Sequence, residues 1–296
     1  MAGLTTLQRM KDYMGIPSPT NPQTDATLTM FINSASSNIM AYLERGSFIS
    51  QPYKDIFNGE NSQHRFPRYW PVTSVLNVQV DNMVIPPVQS QQPAPMTADS
   101  GAAPSAGWVF EPWNGIPPGR HQSVALNSFV YRRGHLNCQI DYVAGYLVTE
   151  TYTIDATGAT HVTQQPYGAW IADGGVTFVD TGNHLTPVTV TPPVASGTYY
   201  LDPLVVGGYQ FAVVDAGRVV TISYSYVPAG IEQATWEMVA LSYSRRQHPG
   251  QRSRSLAAQE SVTYDLSGGG GGGAPGSGLP SYVTEALAPY KNVIPE

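Results

Sequence analysis

Residues able to do chemistry are present in this chain, but their spacing does not gather them. Six histidines stand at positions 64, 121, 135, 161, 184 and 248. None belongs to a His-x-His, His-Glu-x-x-His or Cys-x-x-Cys pattern, the local spacings that present metal ligands together. The single cysteine, Cys138, falls on the apolar side of an alternating pattern with Ile140 and Tyr142. That placement describes a buried thiol rather than an exposed nucleophile. No Gly-x-Ser-x-Gly elbow occurs. The six glycines at 268–273 are not followed by Lys-Ser or Lys-Thr and follow no predicted strand, so they are no phosphate loop. Two carboxylates suffice for glycoside hydrolysis, yet spacing marks out no pair among the 21 acids. The expectation is a protein that is not an enzyme, with no catalytic residues, no cofactor and no metal.

Only 12% of the 296 residues are charged and 42% are hydrophobic, while Gly and Pro number 29 and 25 and Tyr (18) outnumbers Phe (8). Such usage favours strands and long loops. An uncharged surface of this kind also suits a protein covered by other subunits. The net charge of −6 is uneven. Residues 147–227 hold six acids (Glu150, Asp155, Asp173, Asp180, Asp202, Asp215) against Arg218, while the rest is nearly balanced. A general nucleic-acid binder would carry a basic surplus. Four arginines fall within Arg245–Arg254, and their planar forks suit a local docking surface. The start, Met-Ala-Gly-Leu-Thr-Thr, lacks the basic-then-apolar order of a signal peptide, and no apolar run reaches membrane-spanning length. The expected place of synthesis is the cytosol, without membrane contact.

The elements follow from periodicity. Leu4, Leu7, Met10 and Met14 predict a short helix stopped by Gly15 and Pro17. Leu28, Phe31, Ile32, Ala35, Ile39 and Leu43 predict a second, capped by Thr24 or Asp25 and ended by Gly46. Arg68–Asn82 reads as an aromatic-Pro turn feeding a strand with Val72, Leu76, Val78 and Val80 on one face, then a tight reversal at Asp81-Asn82. Residues 86–106 have no period, and Asn137–Tyr146 is a strand. Residues 147–227 alternate short strands with turns, as a small β-sandwich would. Ile231, Ala234, Met238 and Leu241 predict a helix running into Arg245-Arg246, whose charge complements the negative helix end. Ser267–Gly278 is a Gly-rich linker, and a short helix from Leu279-Pro280-Ser281 to Tyr290 precedes the tail.

Several segments, in order, carry a resemblance. They are Leu-Gln-Arg-Met-Lys-Asp-Tyr-Met-Gly (7–15), Ala-Tyr-Leu-Glu-Arg (41–45), Tyr-Trp-Pro-Val-Thr-Ser-Val (69–75) and Tyr-Val-Ala-Gly-Tyr (142–146). Further on come Pro-Ala-Gly-Ile-Glu-Gln-Ala-Thr-Trp-Glu-Met-Val-Ala-Leu (228–241) and Leu-Ala-Pro-Tyr (287–290). This order resembles the head–tail connector, or adaptor, proteins of tailed bacteriophages, over about two-thirds of the chain. The resemblance implies a helical adaptor core with a small antiparallel sheet; with the strand pattern of 147–227 read as an inserted all-β, sandwich-like domain and a C-terminal extended tail, the expected fold is α+β. The corresponding division is 1–146 with 228–266 as the core, 147–227 inserted, 267–278 as linker and 279–296 as docking segment.

The resemblance further implies a structural virion protein at the neck of the particle, assembled in the bacterial host's cytoplasm. Its partners would be other copies of itself in a dodecameric ring, the portal protein, a downstream neck, stopper or tail protein, and packaged DNA passing through the channel. Candidate portal or intersubunit contacts are Arg245, Arg246, Arg252, Arg254, Tyr282, Val283, Leu287 and Tyr290. The family implies nothing for 147–227, whose candidate partners are capsid, whisker or collar proteins. An alternative is a carbohydrate- or receptor-binding virion decoration or tail protein, with Tyr167, Trp170, Tyr199, Tyr200 and Tyr209 as the surface aromatics.

Overall fold

The computed structural model describes residues 3–17, 21–88, 106–111, 122–163, 167–190, 192–202, 205–246, 253–256, 260–263 and 279–291. Among these, sixteen strands stand against four α-helices, with 41% strand and 27% helix. The expected helical core with a small sheet is therefore wrong: the protein is mostly β. The chain divides into two compact units, Met1–Phe48 with Leu147–Lys291, and Ile49–Tyr146 with Asn292–Glu296. The sequence reading treated 147–227 as the insertion. The observed boundaries make Ile49–Tyr146 the segment that interrupts a unit begun by the first two helices.

Helix α1 (Leu7–Met14) opens with the Thr6 side chain accepting from the Arg9 amide and closes on Gly15 at φ 66°, a left-handed turn natural to glycine. Helix α2 (Pro22–Leu43) opens one turn earlier than expected. Asn21 caps it, and Pro22 sits where its missing N–H costs nothing. Its left-handed end falls on Glu44 at φ 54°, two residues before the expected Gly46.

The unit of Ile49–Tyr146 contains β1 (Gln51–Gly59), β2 (His64–Arg65), β3 (Val72–Val80), β4 (Met83–Ile85), β5 (Gly107–Glu111), β6 (Ser123–Asn127) and β7 (Gly134–Ala144). One sheet runs β1-β7-β3-β4 and the other β2-β6-β5, all antiparallel. Both contribute to one core that includes Phe57, Val78, Trp108, Val124, Tyr131, Cys138 and Ile140. The predicted face of β3 holds at Val72, Val78 and Val80, but Leu76 is 60% exposed. Register shifts at Val72/Ser74 and Val75/Asn77 turn Val75 toward the core in its place, as bulges do. The reversal stands where expected, with Asp81 and Asn82 at φ 52° and 63°. Tyr142 is fully buried and donates to Asp55 at 2.8 Å while accepting from the Tyr69 amide at 3.0 Å.

After Tyr146 come β8 (Leu147–Thr153), β9 (Ala159–His161), β10 (Gly168–Phe178), β11 (Thr186–Val188), β12 (Thr198–Leu201), β13 (Gly208–Phe211) and β14 (Val219–Pro228). Sheets β10-β14-β8 and β11-β12-β13-β9 share a core of Ile154, Val176, Phe178, Tyr199, Phe211, Ile222 and Tyr224. Two sheets closing on one apolar interior is the arrangement their alternating patterns require. Gly168, opposite Pro228, has φ 133°, and a Cβ there would lie 1.8 Å from the Val227 carbonyl oxygen, so only glycine fits. Strand β14 passes directly into α3 (Ala229–Arg245), and β15 (Ser253–Leu256), β16 (Glu260–Thr263) and α4 (Ser281–Leu287) follow. Met10, Leu28, Ile32, Ala35 and Val239 tie α1, α2 and α3 into a separate apolar cluster.

Candidate functional site

Two of the expected docking residues are interior. Leu279, Val283 and Leu287 are all 0% exposed, because α4 packs on α3 of its own unit. Tyr42 donates to the Thr284 carbonyl at 3.4 Å, and Arg45 Nε to the Tyr290 carbonyl at 3.3 Å. Lys291 Nζ lies 3.5 Å from Glu44. A Cβ on Gly230 would lie 3.1 Å from the Tyr290 hydroxyl, a tight approach that glycine relieves. The expectation of a free docking peptide therefore meets a segment seated on its own body. The 267–278 linker, the tail beyond Lys291 and Arg252 lie outside the described residues. Arg254 lies on β15, opposite Val262.

Tyr282 and Arg246 remain outward, while Arg245 is half-buried. Tyr282 is 47% exposed and Tyr13 is 48% exposed. The Tyr13 ring stacks on Trp236 with centroids 5.2 Å apart, and the Arg9 guanidinium sits 5.6 Å from the Trp236 centroid. Burial first, then the nearby Glu237 charge, raises the Tyr282 phenol, while Arg245 lowers it. Arg246 lies 3.4 Å over the Tyr243 ring. This surface is therefore built of Tyr, Trp and Arg, the residues that dominate binding hot spots.

A buried carboxylate holds the surface in place. Glu232 on α3, 1% exposed, accepts from Arg9 Nε and Nη2, both at 2.6 Å, and from Thr5 Oγ1 at 2.9 Å. Trp236 Nε1 donates to that same Thr5 oxygen at 2.8 Å. The sequence reading missed Tyr13, Trp236 and Glu232. An acid on the apolar side of α3 was the available signal, and its partner lies 223 residues away.

The aromatics proposed for a glycan surface divide. Tyr199 and Tyr209 are each 1% exposed, and both donate to Asp173, Tyr209 at 3.0 Å. The Gly175 amide donates to the same carboxylate at 3.0 Å, and Trp170 Nε1 donates to Tyr209 at 3.3 Å. Tyr200 is half-buried, and Tyr167 packs with its ring 5.7 Å from Tyr226. A second carboxylate, Glu150, accepts from Tyr152 and from Tyr224, the latter at 3.1 Å. These are interior hydrogen-bond networks. Asp173→Ala should remove the acceptor of two buried phenols and cost roughly 2–4 kcal/mol. Equilibrium denaturation reads this, and a change well under 1 kcal/mol would sink the assignment.

Among the described residues no group of three or more His, Cys, Asp or Glu is placed to hold a metal ion. No helix among them is long and apolar enough to cross a membrane. The fold and these surfaces define a β-dominated chain of two units whose exposed chemistry is suited to contact.

No family model matches the chain, and no curated protein is significantly similar to it. A chain of the solved structure described as "Neck of empty GTA particle computed with C6 symmetry" is similar over 48% of this protein, at 13% identity and a TM-score of 0.29. The similarity takes in 66% of that chain, just under two thirds of it.

Proposed function

We propose that the protein is a structural component of a tailed-phage virion, a neck protein that forms a ring between the portal and the lower neck or tail proteins, and that it performs no catalysis. The observation that carries this reading is the pair of outward rings Tyr13 and Tyr282 with half-buried Trp236 and exposed Arg246, braced from beneath by Arg9–Glu232. A buried ion pair that fixes an exposed aromatic surface is an arrangement for holding a partner. The order of the adaptor-like segments supports a phage neck as the assembly to which that partner belongs.

In this reading the ring is dodecameric and surrounds packaged DNA. The aromatic–arginine surface takes a neighbouring copy or the portal. The acidic sandwich, with net charge −5 over residues 147–227 (six acids less one base), meets capsid, whisker or collar proteins. The glycan-binding alternative loses Tyr199 and Tyr209 to the Asp173 network, and no other observation favours it. Mass measurement on native particles is expected to give a copy number matched to the portal's, and an unrelated number would overturn the proposal.

A further inference from the structure

The C-terminal segment Leu279–Lys291 is recognised through features that do not depend on which chain carries it. Val283 and Leu287 share one face of α4 and Leu279 stands just before it, and all three are 0% exposed. Polar contacts fix the far end: Arg45 to the Tyr290 carbonyl and Lys291 to Glu44, with the Lys291 ammonium also 5.4 Å from the Tyr42 ring centroid. The seat is assembled from the C-terminal end of α2 and from α3, where Gly230 leaves room for Tyr290. The fifteen residues joining Thr263 to Leu279 (264–278) include eight glycines.

We propose that Leu279–Lys291 is an exchangeable arm, which enters the same seat on a second copy of this chain when copies associate. The bonds made in trans are those made in cis, so the choice is set by effective concentration. A monomer in dilute solution keeps its own arm, and crowded copies trade arms, the low-cost route by which identical elements link protomers. The inference rests on the copies associating, as the ring reading requires, and not on the particle they build.

Glu44 and Lys291 supply the test, since their side chains stand 3.5 Å apart and the chain has only three lysines, Lys11, Lys54 and Lys291. Full-length unlabelled and ¹⁵N-labelled protein would be mixed equally, held at rising concentration, and joined with a zero-length carbodiimide. Mass spectrometry then sorts Glu44–Lys291 peptide pairs by isotope. Arm exchange predicts mixed pairs rising to about half of the total, as random trans pairing requires. Exclusively same-isotope pairs at every concentration would overturn the proposal. Leu287→Asp, which unseats the arm, should abolish the mixed pairs and the self-association together. Association that persists unchanged in that variant would show the copies joined elsewhere, and would overturn the arm's role while leaving the ring reading standing.

Discussion

Above pH 10, where tyrosine ordinarily ionises, the protein is expected to lose stability steeply, and the cause is its buried phenols. Tyr131 and Tyr142 in the Ile49–Tyr146 unit, and Tyr199, Tyr209 and Tyr224 in the other, are each at most 1% exposed. Burial is the largest influence on all five and holds each phenol well above its usual range. Asp55 adds to it at Tyr142, Asp173 at Tyr199 and Tyr209, and Glu150 at Tyr224. The folded chain keeps these protons while the unfolded chain gives them up, so unfolding releases protons and base favours it. Stability contributed this way is complete below about pH 10 and is lost as pH rises toward the folded-state values. Each phenol contributes a slope of about 1.4 kcal/mol per pH unit. The combined slopes are roughly 3 kcal/mol per unit for the pair and roughly 4 for the trio. Urea midpoints measured from about pH 9 to about pH 11, with phenolate absorbance followed in parallel, would show it. A flat profile, or phenols that ionise without unfolding, would mean these rings reach solvent in the folded state.

That tyrosine chemistry marks what was legible in the sequence. Alternation placed Cys138, Ile140 and Tyr142 inward on β7 and Val220, Ile222, Tyr224 and Tyr226 inward on β14, because long regular strands repeat their signal enough to be read, although Tyr226 is only partly buried and Ser225, read as outward, is buried. Strands such as β2, β4 and β6 have two to five residues, too few to show a period, so 47–85 read only as β character around the strand at Arg68–Asn82, and the β content was underestimated. Leu76 was misplaced because a bulge shifts a side chain to the opposite face without any change in composition. The surface aromatics failed differently. Tyr199 and Tyr209 look like exposed rings until Asp173 is brought to them from β10, a contact across 26 and 36 residues. Outward Tyr13 and Tyr282 and half-buried Trp236 come from three helices at opposite ends of the chain, and no local pattern announces their meeting.

Arg9→Ala is expected to lower the stability of the helical part by about 3 kcal/mol, the usual cost of stripping one partner from a buried ion pair. Glu232 would remain 1% exposed with only Thr5 among its present side-chain donors, and the carboxylate's desolvation would go uncompensated. The charge itself is not what the fold requires. Arg9→Met with Glu232→Met should recover most of the loss, since apolar groups of similar volume remove both the attraction and the desolvation penalty. Arg9→Lys should recover less, because one ammonium cannot reproduce the two-point fork on both carboxylate oxygens. Thermal and urea unfolding of the four proteins would decide. An Arg9→Ala loss below about 1 kcal/mol would mean that the apolar contacts of Met10, Leu28 and Val239 alone fix α1 on α3. The functional consequence separates stability from binding. Arg9 faces Trp236 at 5.6 Å, and Trp236 stacks with Tyr13, so the Met/Met protein should fold yet present a less ordered aromatic surface and bind its partner more weakly. A Met/Met protein that binds undiminished would place the contact elsewhere on the chain.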